Sequence, residues 1–297
     1  MFLIKDIHNK LKKAGYYSNT EIDIAVAAAI ECGMPVLIEG PAGAGKTALA
    51  HAVSKMMGLP LVRVQFYEGV TDDKILYDFD YQKQLLTLEA IRPVLEREYA
   101  DTKLNDAISD VSGKLHFYGD DYLIKRPVLQ CLDGSGRKVL LLDEIDKAPE
   151  EIEYTLLEVL SEFSMSIPQY GTVKCPKDKL PIVFLTSNNY RDLSDALKRR
   201  CSYLFLKQKN KGELMQIIKS QAEIDEQLAK IIAGIITSSA KYNLKKQPSV
   251  AEGIDWANFL KQYGCDKELM KASIGMLFKN EDDMQKMRAV LDTEFTK

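Results

Sequence analysis

A glycine-rich loop that directly follows a short apolar run is the feature that most constrains this chain. The loop, residues 40–47, reads GPAGAGKT and has the spacing G-x-x-x-x-G-K-S/T, and the run Val36-Leu37-Ile38 precedes it. A buried strand that opens into such a loop, with a helix starting at its end, directs several backbone N–H groups toward one point. This arrangement predicts a strand–loop–helix unit whose loop binds a polyphosphate.

Each part of the loop has a role in this prediction. Its glycines let the backbone approach the phosphates closely, Lys46 reaches the β- and γ-phosphates, and the Thr47 hydroxyl binds Mg²⁺. A glycine loop that only turns the chain is the alternative, and the helical periodicity after Thr47 argues against it. The predicted nucleotide-binding residues are Gly40, Pro41, Ala42, Gly43, Ala44, Gly45, Lys46, Thr47 and Ala48.

Composition limits the class of protein. The chain has 297 residues, 46% of them hydrophobic and 28% charged, as in ordinary soluble proteins with room for two domains. A formal net charge of −3 at pH 7 and a pI of about 5.8 disfavour nucleic acid as a partner. Five cysteines without C-x-x-C spacing indicate reduced thiols and a cytoplasmic location, and no apolar run is long enough for membrane insertion.

Four further segments predict the rest of a sheet. Those at 139–142, 181–186 and 203–206 are apolar runs and 61–66 alternates apolar with polar residues, so that the run before the loop brings the total to five strands. Strands of this kind, separated by helical patterns, favour an α/β fold with a parallel sheet. The less regular stretch 67–137 contains expected helices near 84–100 and 122–132 and a polar break at 101–113.

The chain changes character after Leu206. Residues 207–211 are polar and basic, which we interpret as a solvated hinge, and the later segments have helical periodicity. Ser249 and Glu252 fit a capping box that starts one of these helices. We therefore expect an α/β nucleotide-binding domain over 1–206 and a small all-α domain over 207–297.

Two acids follow the apolar run at 139–142. Ligands of open α/β sheets bind at the carboxyl ends of strands, so Asp143 is predicted to hold the water shell of Mg²⁺ and Glu144 to activate the attacking water. For two acids alone a helix cap or a surface cluster is the better explanation, and the phosphate loop upstream reverses that preference. Asp146 is expected to cap the helix that begins near Pro149.

Three more polar residues follow the later strands. The Asn188 amide could bond the γ-phosphate or the attacking water, although an asparagine at a strand end often only forms a turn. Arg199 and Arg200 end a short helix, where interaction with the helix dipole is a sufficient explanation. The alternative is an arginine finger, a side chain that stabilises the transferring phosphoryl group bound to a neighbouring subunit.

Taken together, these segments resemble the AAA+ ATPases, most of all the MoxR branch that accompanies von Willebrand factor A (VWA) domain proteins. The resemblance rests on the phosphate loop, LLLDEID at 140–146, TSN at 186–188 and LSDALKRRC at 193–201, in that order. It covers about residues 15–206 well and the helical part weakly.

The resemblance implies a P-loop NTPase (AAA+) core with a five-stranded parallel sheet and a small all-α lid. It also implies ATP and Mg²⁺ as cofactors, ATP hydrolysis to ADP and phosphate, and a homo-hexameric ring. Asn188 would be the sensor 1 residue, Arg200 the finger and Arg199 the second choice. MoxR-type lids often carry a sensor 2 arginine, but the matching stretch 248–252 has none, and Lys245 or Lys246 is a weak substitute.

The function implied is a chaperone-like ATPase that remodels or matures a client, such as a VWA-domain protein. A DNA-associated AAA+ ATPase of the clamp-loader or initiator type is the alternative, because clamp loaders share the Leu-Ser-x-Ala-Leu and Arg-Cys features. A small-molecule kinase would carry the same loop but would leave Asn188, Arg200 and the lid unexplained.

Overall fold

The computed structural model describes residues 4–99 and 116–294, so the polar break predicted at 101–113 lies outside the described residues. Helices and strands alternate in the first two thirds of the chain. In chain order they are α1 (Ile4–Lys13), α2 (Thr20–Glu31), β1 (Val36–Glu39), α3 (Lys46–Met57), β2 (Leu61–Gln65), α4 (Asp72–Ile75), β3 (Tyr77–Phe79), α5 (Tyr81–Glu98), β4 (Leu123–Lys125), α6 (Pro127–Leu132), β5 (Val139–Asp143), α7 (Glu150–Glu162), β6 (Ser164–Ile167), β7 (Gly171–Lys174), β8 (Ile182–Ser187), α8 (Asp195–Lys198) and β9 (Ser202–Phe205).

Five of these strands form one parallel sheet in the order β2-β5-β8-β1-β9. The five-stranded sheet predicted from these segments is therefore confirmed. In the parallel register Glu39 at the end of β1 pairs with Ser187 of β8, and Gln65 of β2 pairs with Asp143 of β5. The phosphate loop, the two acids and Asn188 consequently leave the sheet at the same edge.

Helices cover both faces of the sheet, which explains why its central strands are apolar throughout. Along β5, Val139 and Leu141 pack with α1, α2 and α3, while Leu140 and Leu142 pack with α6 and α7 on the opposite face. All four side chains are fully buried. Each such side chain contributes about 1.5–3 kcal/mol through the removal of apolar surface from water, and this holds the strand end that bears Asp143 and Glu144 in place.

The helix predicted near 122–132 is only partly correct. Residues 123–125 form β4, which pairs antiparallel with β3, and the helix α6 begins at Pro127. Proline lacks an N–H and its ring excludes a preceding helical turn, so the helix starts there rather than running through it. The helix expected near 84–100 is α5.

The described residues after β9 form helices and no strand. They are α9 (Lys211–Ala222), α10 (Glu226–Ser239), α11 (Val250–Tyr263), α12 (Lys267–Ala272) and α13 (Glu281–Glu294). These helices enclose a separate apolar core around Trp256. The predicted capping box is confirmed, because Ser249 Oγ accepts the Glu252 N–H at 3.2 Å and Glu252 Oε2 accepts the Ser249 N–H at 2.7 Å. Within 4–99 and 116–294, no helix has both the length and the apolar character that a membrane crossing requires.

Candidate active site

A cavity of about 630 Å³ lies where the phosphate loop, the sheet edge and the helical part meet. This volume is within the usual range for sites that bind small molecules and cofactors. The cavity is lined by residues 42–48 of the loop and the start of α3, by Asp143, Glu144, Thr186 and Asn188 at the strand ends, by residues 14–17, and by Ile217, Gln221 and residues 249–251 of the helical part. The structure thus brings residues 42–48 of the predicted set, the two acids and Asn188 to one cavity, while Gly40 and Pro41 do not line it.

Lys46 is buried at the centre of the loop. Its Nζ donates to the carbonyl oxygens of Gly40 at 2.7 Å and Pro41 at 2.9 Å, and to Oδ1 of Asn188 at 2.7 Å. Burial lowers the pKa of the Lys46 ammonium, while Asp146, Asp143 and Glu144 act in the opposite direction. The contact with Asn188 links the loop directly to the end of β8, as the predicted roles of the two residues require.

The Asp143 carboxylate is buried and fully hydrogen-bonded. Oδ1 accepts the hydroxyls of Thr47, at 3.0 Å, and Thr186. Oδ2 accepts Nε and Nη2 of Arg63 at 2.9 and 2.6 Å. The Thr47 hydroxyl and the Asp143 carboxylate are hard oxygen donors in direct contact, which is the donor set that a nucleotide-bound Mg²⁺ takes from a protein. No group of three His, Cys, Asp or Glu suited to a metal is found in the described ranges, and Mg²⁺ shared with phosphates does not need one.

Glu144 is held in one orientation from several sides. Its backbone has φ 58° and ψ 47°, a left-handed conformation that costs a non-glycine residue about 1–3 kcal/mol. Its Oε2 accepts Lys147 Nζ at 2.7 Å and Gln65 Nε2 at 2.9 Å, and Oε1 lies 3.3 Å from Asn188 Nδ2. The hydrogen bond to Glu144 raises the pKa of the Lys147 ammonium. The Glu144 carboxylate is thus paired with a lysine on one oxygen and faces Asn188 with the other.

The expectation that Asp146 caps the helix after Pro149 is wrong. Asp146 lies in a 3₁₀ turn and is completely buried. Its Oδ2 accepts the backbone N–H groups of Asn188 at 2.9 Å and Tyr190 at 2.8 Å. Asp146 therefore fixes the loop that carries Asn188, because a carboxylate satisfies backbone donors across the sheet edge as well as it would at a helix end.

Arg199 and Arg200 do not line the cavity of their own chain. Both side chains are exposed at the end of α8. The Arg200 guanidinium donates through Nη1 to the Ala196 carbonyl at 2.9 Å and through Nε to the Ser161 hydroxyl. Neither arginine contacts Lys46 or the acids, so any action on a nucleotide has to be on one bound elsewhere.

Sequence reasoning did not identify several residues that the structure brings to the site. Arg63 and Gln65 alternate with Val62 and Val64 along β2, and this period of two was a signal that one face of the strand is polar. Lys209 lines the cavity with its Nζ 6.0 Å from the Tyr16 ring centroid, so the hinge is not simply solvated. Other contributors that reasoning from sequence left without a role are Tyr16, Lys147 and Thr186.

The lysines weighed as substitutes for a sensor 2 arginine lie outside the cavity. Lys245 pairs with Asp282 at 2.8 Å and Lys246 with Glu252 at 3.3 Å. What the helical part does place against the phosphate loop is the start of α11. A Cβ atom on Gly43 would lie 2.9 Å from Ser249 Cβ, closer than real Cβ contacts allow.

Replacing Gly43 by alanine is therefore expected to weaken nucleotide binding about tenfold. Gly43 has φ 78°, a left-handed backbone conformation that costs an L-residue roughly 1–2 kcal/mol of conformational free energy. The added methyl group would also displace α11 from the phosphate loop. Equilibrium titration with ATP measures the change. Gly136→Ala is the matched control, since a Cβ there meets no atom within 4 Å, and equal affinities for the two variants would contradict the prediction.

The family comparison agrees with this geometry. The model for the AAA domain (dynein-related subfamily) matches residues 35–201, more than half of the chain, from Pro35 just before β1 to Cys201. The chain belongs to this AAA family. AAA domains bind and hydrolyse nucleoside triphosphates, so this protein is an AAA+ ATPase by family, and the AAA+ part of the resemblance is confirmed. The MoxR subtype and the VWA association remain predictions.

Solved structures of RuvB from Thermotoga maritima are similar to this AAA protein in fold. A point mutant of RuvB is 18% identical, with 98% of this chain and 71% of that chain covered and a TM-score of 0.45. The structure titled RuvB Holliday junction branch migration motor is 20% identical, with 95% and 68% covered and a TM-score of 0.43. A second mutant is 19% identical, with 96% and 68% covered and a TM-score of 0.42. No curated protein matches the chain significantly.

Proposed function

We propose that this AAA+ chain hydrolyses Mg-ATP to ADP and phosphate and uses that reaction to remodel or mature a client protein. The observation that carries the proposal is the meeting of three strand ends, where Lys46 contacts Asn188 at 2.7 Å and Thr47 contacts Asp143 at 3.0 Å. This arrangement places a cation, a metal-binding pair and an amide around one point, as phosphoryl transfer to water requires.

The phosphate loop and Lys46 bind the triphosphate. The carbonyl and amide oxygens that accept from Lys46 Nζ in this structure give way to β- and γ-phosphate oxygens, which are stronger acceptors because they are charged. Thr47 and Asp143 would hold Mg²⁺, which when bound neutralises charge on the β- and γ-phosphates. The nucleoside would extend toward residues 14–17 and Gln221, on the remaining side of the cavity.

Glu144 activates the attacking water and Asn188 orients it. The two side chains are already in contact, with 3.3 Å between Asn188 Nδ2 and Glu144 Oε1. Lys147 and Gln65 donate to the other oxygen of this carboxylate, Oε2, and so orient it.

An arginine from a neighbouring subunit would complete the site. Arg199 and Arg200 are exposed and remote from the cavity of their own chain, which suits a role in trans, and AAA+ proteins commonly assemble as hexamers. The homo-hexamer and a client with a VWA domain rest on the MoxR resemblance, and the cytoplasmic location rests on the five cysteines without C-x-x-C spacing. The two-domain division at 206/207 is supported by the separate apolar core of the helical part.

We expect the specific ATPase activity to rise with protein concentration, and Arg200→Ala to lower kcat by about 10³-fold or more while ATP binding stays intact. Arg199→Ala is the comparison that tests the choice of finger, and we expect it to be milder. Steady-state phosphate release over a range of protein concentrations is the measurement. A fully active Arg200→Ala variant with concentration-independent activity would refute the ring. Stimulation by DNA with steep salt dependence would instead favour the DNA-associated alternative.

A further inference from the structure

A short loop connects the two groups that the proposed mechanism uses on opposite sides of a subunit contact. Residues 188–194 begin with Asn188, which faces the subunit's own cavity, and end with Ser194. The Ser194 hydroxyl accepts the Leu197 N–H at 3.3 Å and so caps α8, the helix that ends at Lys198 directly before Arg199 and Arg200. The position of Asn188 and the position of the arginines are therefore set by the same seven-residue segment.

A buried acid holds the start of this loop. Asp146 is 0% exposed and accepts the N–H groups of Asn188 and Tyr190 with one oxygen, Oδ2. Between them Asn189 has φ 62°, a left-handed conformation that asparagine tolerates. Hydrogen bonds to a charged acceptor are worth about 1.5–3 kcal/mol each, so the backbone at Asn188 is firmly fixed.

A second buried acid holds the end of the loop. Glu153 of α7 is 0% exposed, and its Oε2 accepts the Ser194 N–H at 3.0 Å. Its Oε1 lies 2.5 Å from Arg191 Nη1, and Arg191 Nη2 donates to the Ala148 carbonyl at 2.7 Å. Because Glu153 is fully buried, it needs both the Arg191 guanidinium and the Ser194 N–H as partners, so this end of the loop is held as well.

We infer that Asp146 and Glu153 are positioning residues that make 188–194 a rigid link between nucleotide sensing and presentation of the arginine finger. Both acids lie on the segment that follows Asp143 and Glu144 in the chain. Each end of the loop is therefore bound to a residue beyond the end of β5. Asp146 thereby holds Asn188 at the nucleotide site of its own subunit, and Glu153 holds the end of the loop from which α8 presents the arginines. The inference rests on the proposed function. It assigns Asp146 to the site of its own subunit and Glu153 to the site of the neighbour.

Mixing of variants tests this assignment. A subunit with an intact nucleotide site regains activity when its neighbour supplies a correctly placed arginine, whereas a subunit with a defective nucleotide site stays inactive beside any neighbour. Glu144→Gln supplies subunits with intact arginines and an inactive site. Glu153→Gln alone should lose at least tenfold in kcat with ATP affinity unchanged. A 1:1 mixture with Glu144→Gln should regain about a quarter of wild-type activity, since half of the Glu153→Gln sites then meet an intact arginine.

Three further variants complete the experiment. Arg191→Met should behave like Glu153→Gln, and it decides the question if the buried substitution prevents folding. Asp146→Ala should be inactive alone and stay inactive in the mixture, whereas Asp146→Asn keeps an oxygen acceptor and should retain activity. Glu151→Gln, an exposed acid on the same helix as Glu153, should match the wild type throughout.

A mixture of Arg200→Ala with Glu144→Gln distinguishes a failure of the link through 188–194 from a failure of the arginine finger in trans. If that mixture regains activity and the Glu153→Gln and Arg191→Met mixtures do not, the link is refuted and the ring stands. Loss of ATP binding by Glu153→Gln and Arg191→Met would likewise refute it, because it would show a general structural role. If the Arg200→Ala mixture stays inactive, the finger in trans fails and the link fails with it.

Discussion

Lys46→Ala is expected to weaken Mg-ATP binding by about 10²–10⁴-fold, the largest loss of affinity that any single change should cause. Its ammonium is buried in the cavity and already makes three short hydrogen bonds to oxygen acceptors. Charge-assisted hydrogen bonds to two phosphates at about 1.5–3 kcal/mol each account for this range. Isothermal titration of the full chain with ATP and Mg²⁺ measures it.

Lys55→Ala is the matched control. Lys55 lies on the same helix, lines the outer part of the cavity and is exposed, so its removal should change affinity by no more than about threefold. An unchanged affinity for Lys46→Ala, or equal losses for both variants, would contradict the placement of the triphosphate in the loop and with it the ATPase proposal.

Glu144→Gln is expected to lower kcat by about 10²–10⁴-fold, the usual contribution of a general base, while ATP affinity is retained. Glutamine has nearly the same shape, and its amide oxygen can still accept from Gln65, so the site remains assembled. Single-turnover hydrolysis of ATP, together with a binding titration, distinguishes loss of chemistry from loss of affinity.

Glu150→Gln provides the control for this substitution, because Glu150 lies in the first turn of α7 outside the cavity and should have no effect on kcat. Full activity of Glu144→Gln would remove Glu144 from the mechanism. The ATP-bound, inactive variant also offers the direct assay for a client, since a VWA-domain protein that binds it in ATP but not in ADP would support the remodelling role.

Local patterns predicted the framework of this protein well. Apolar runs identified the central strands of the parallel sheet, because strands covered on both faces must be apolar along their whole length, and alternation identified the edge strand β2. The less regular stretch was predicted poorly. There Pro127 separates a strand from a helix, and apolar periodicity alone does not distinguish the two.

The three acids at and after the end of β5 differ in whether a local pattern identifies their roles. Asp143 and Glu144 were found because they directly follow an apolar strand. The role of Asp146 depends on two N–H groups more than forty positions away, which no local pattern contains. Arg63 was missed for the same reason, since its partner Asp143 is 80 residues away in the chain.

The strands, the phosphate loop and the type of side chain that follows each strand can be identified from the amino-acid sequence, because apolar runs and glycine spacing are local patterns. Which of those side chains meet depends on how the strands are ordered in the folded protein. Strand order sets β8 between β1 and β5, and this brings the Asn188 amide to Lys46 and the Asp146 carboxylate to the backbone of the loop. Contacts between distant residues follow from how the strands pack, and their energies are absent from any short stretch of the chain.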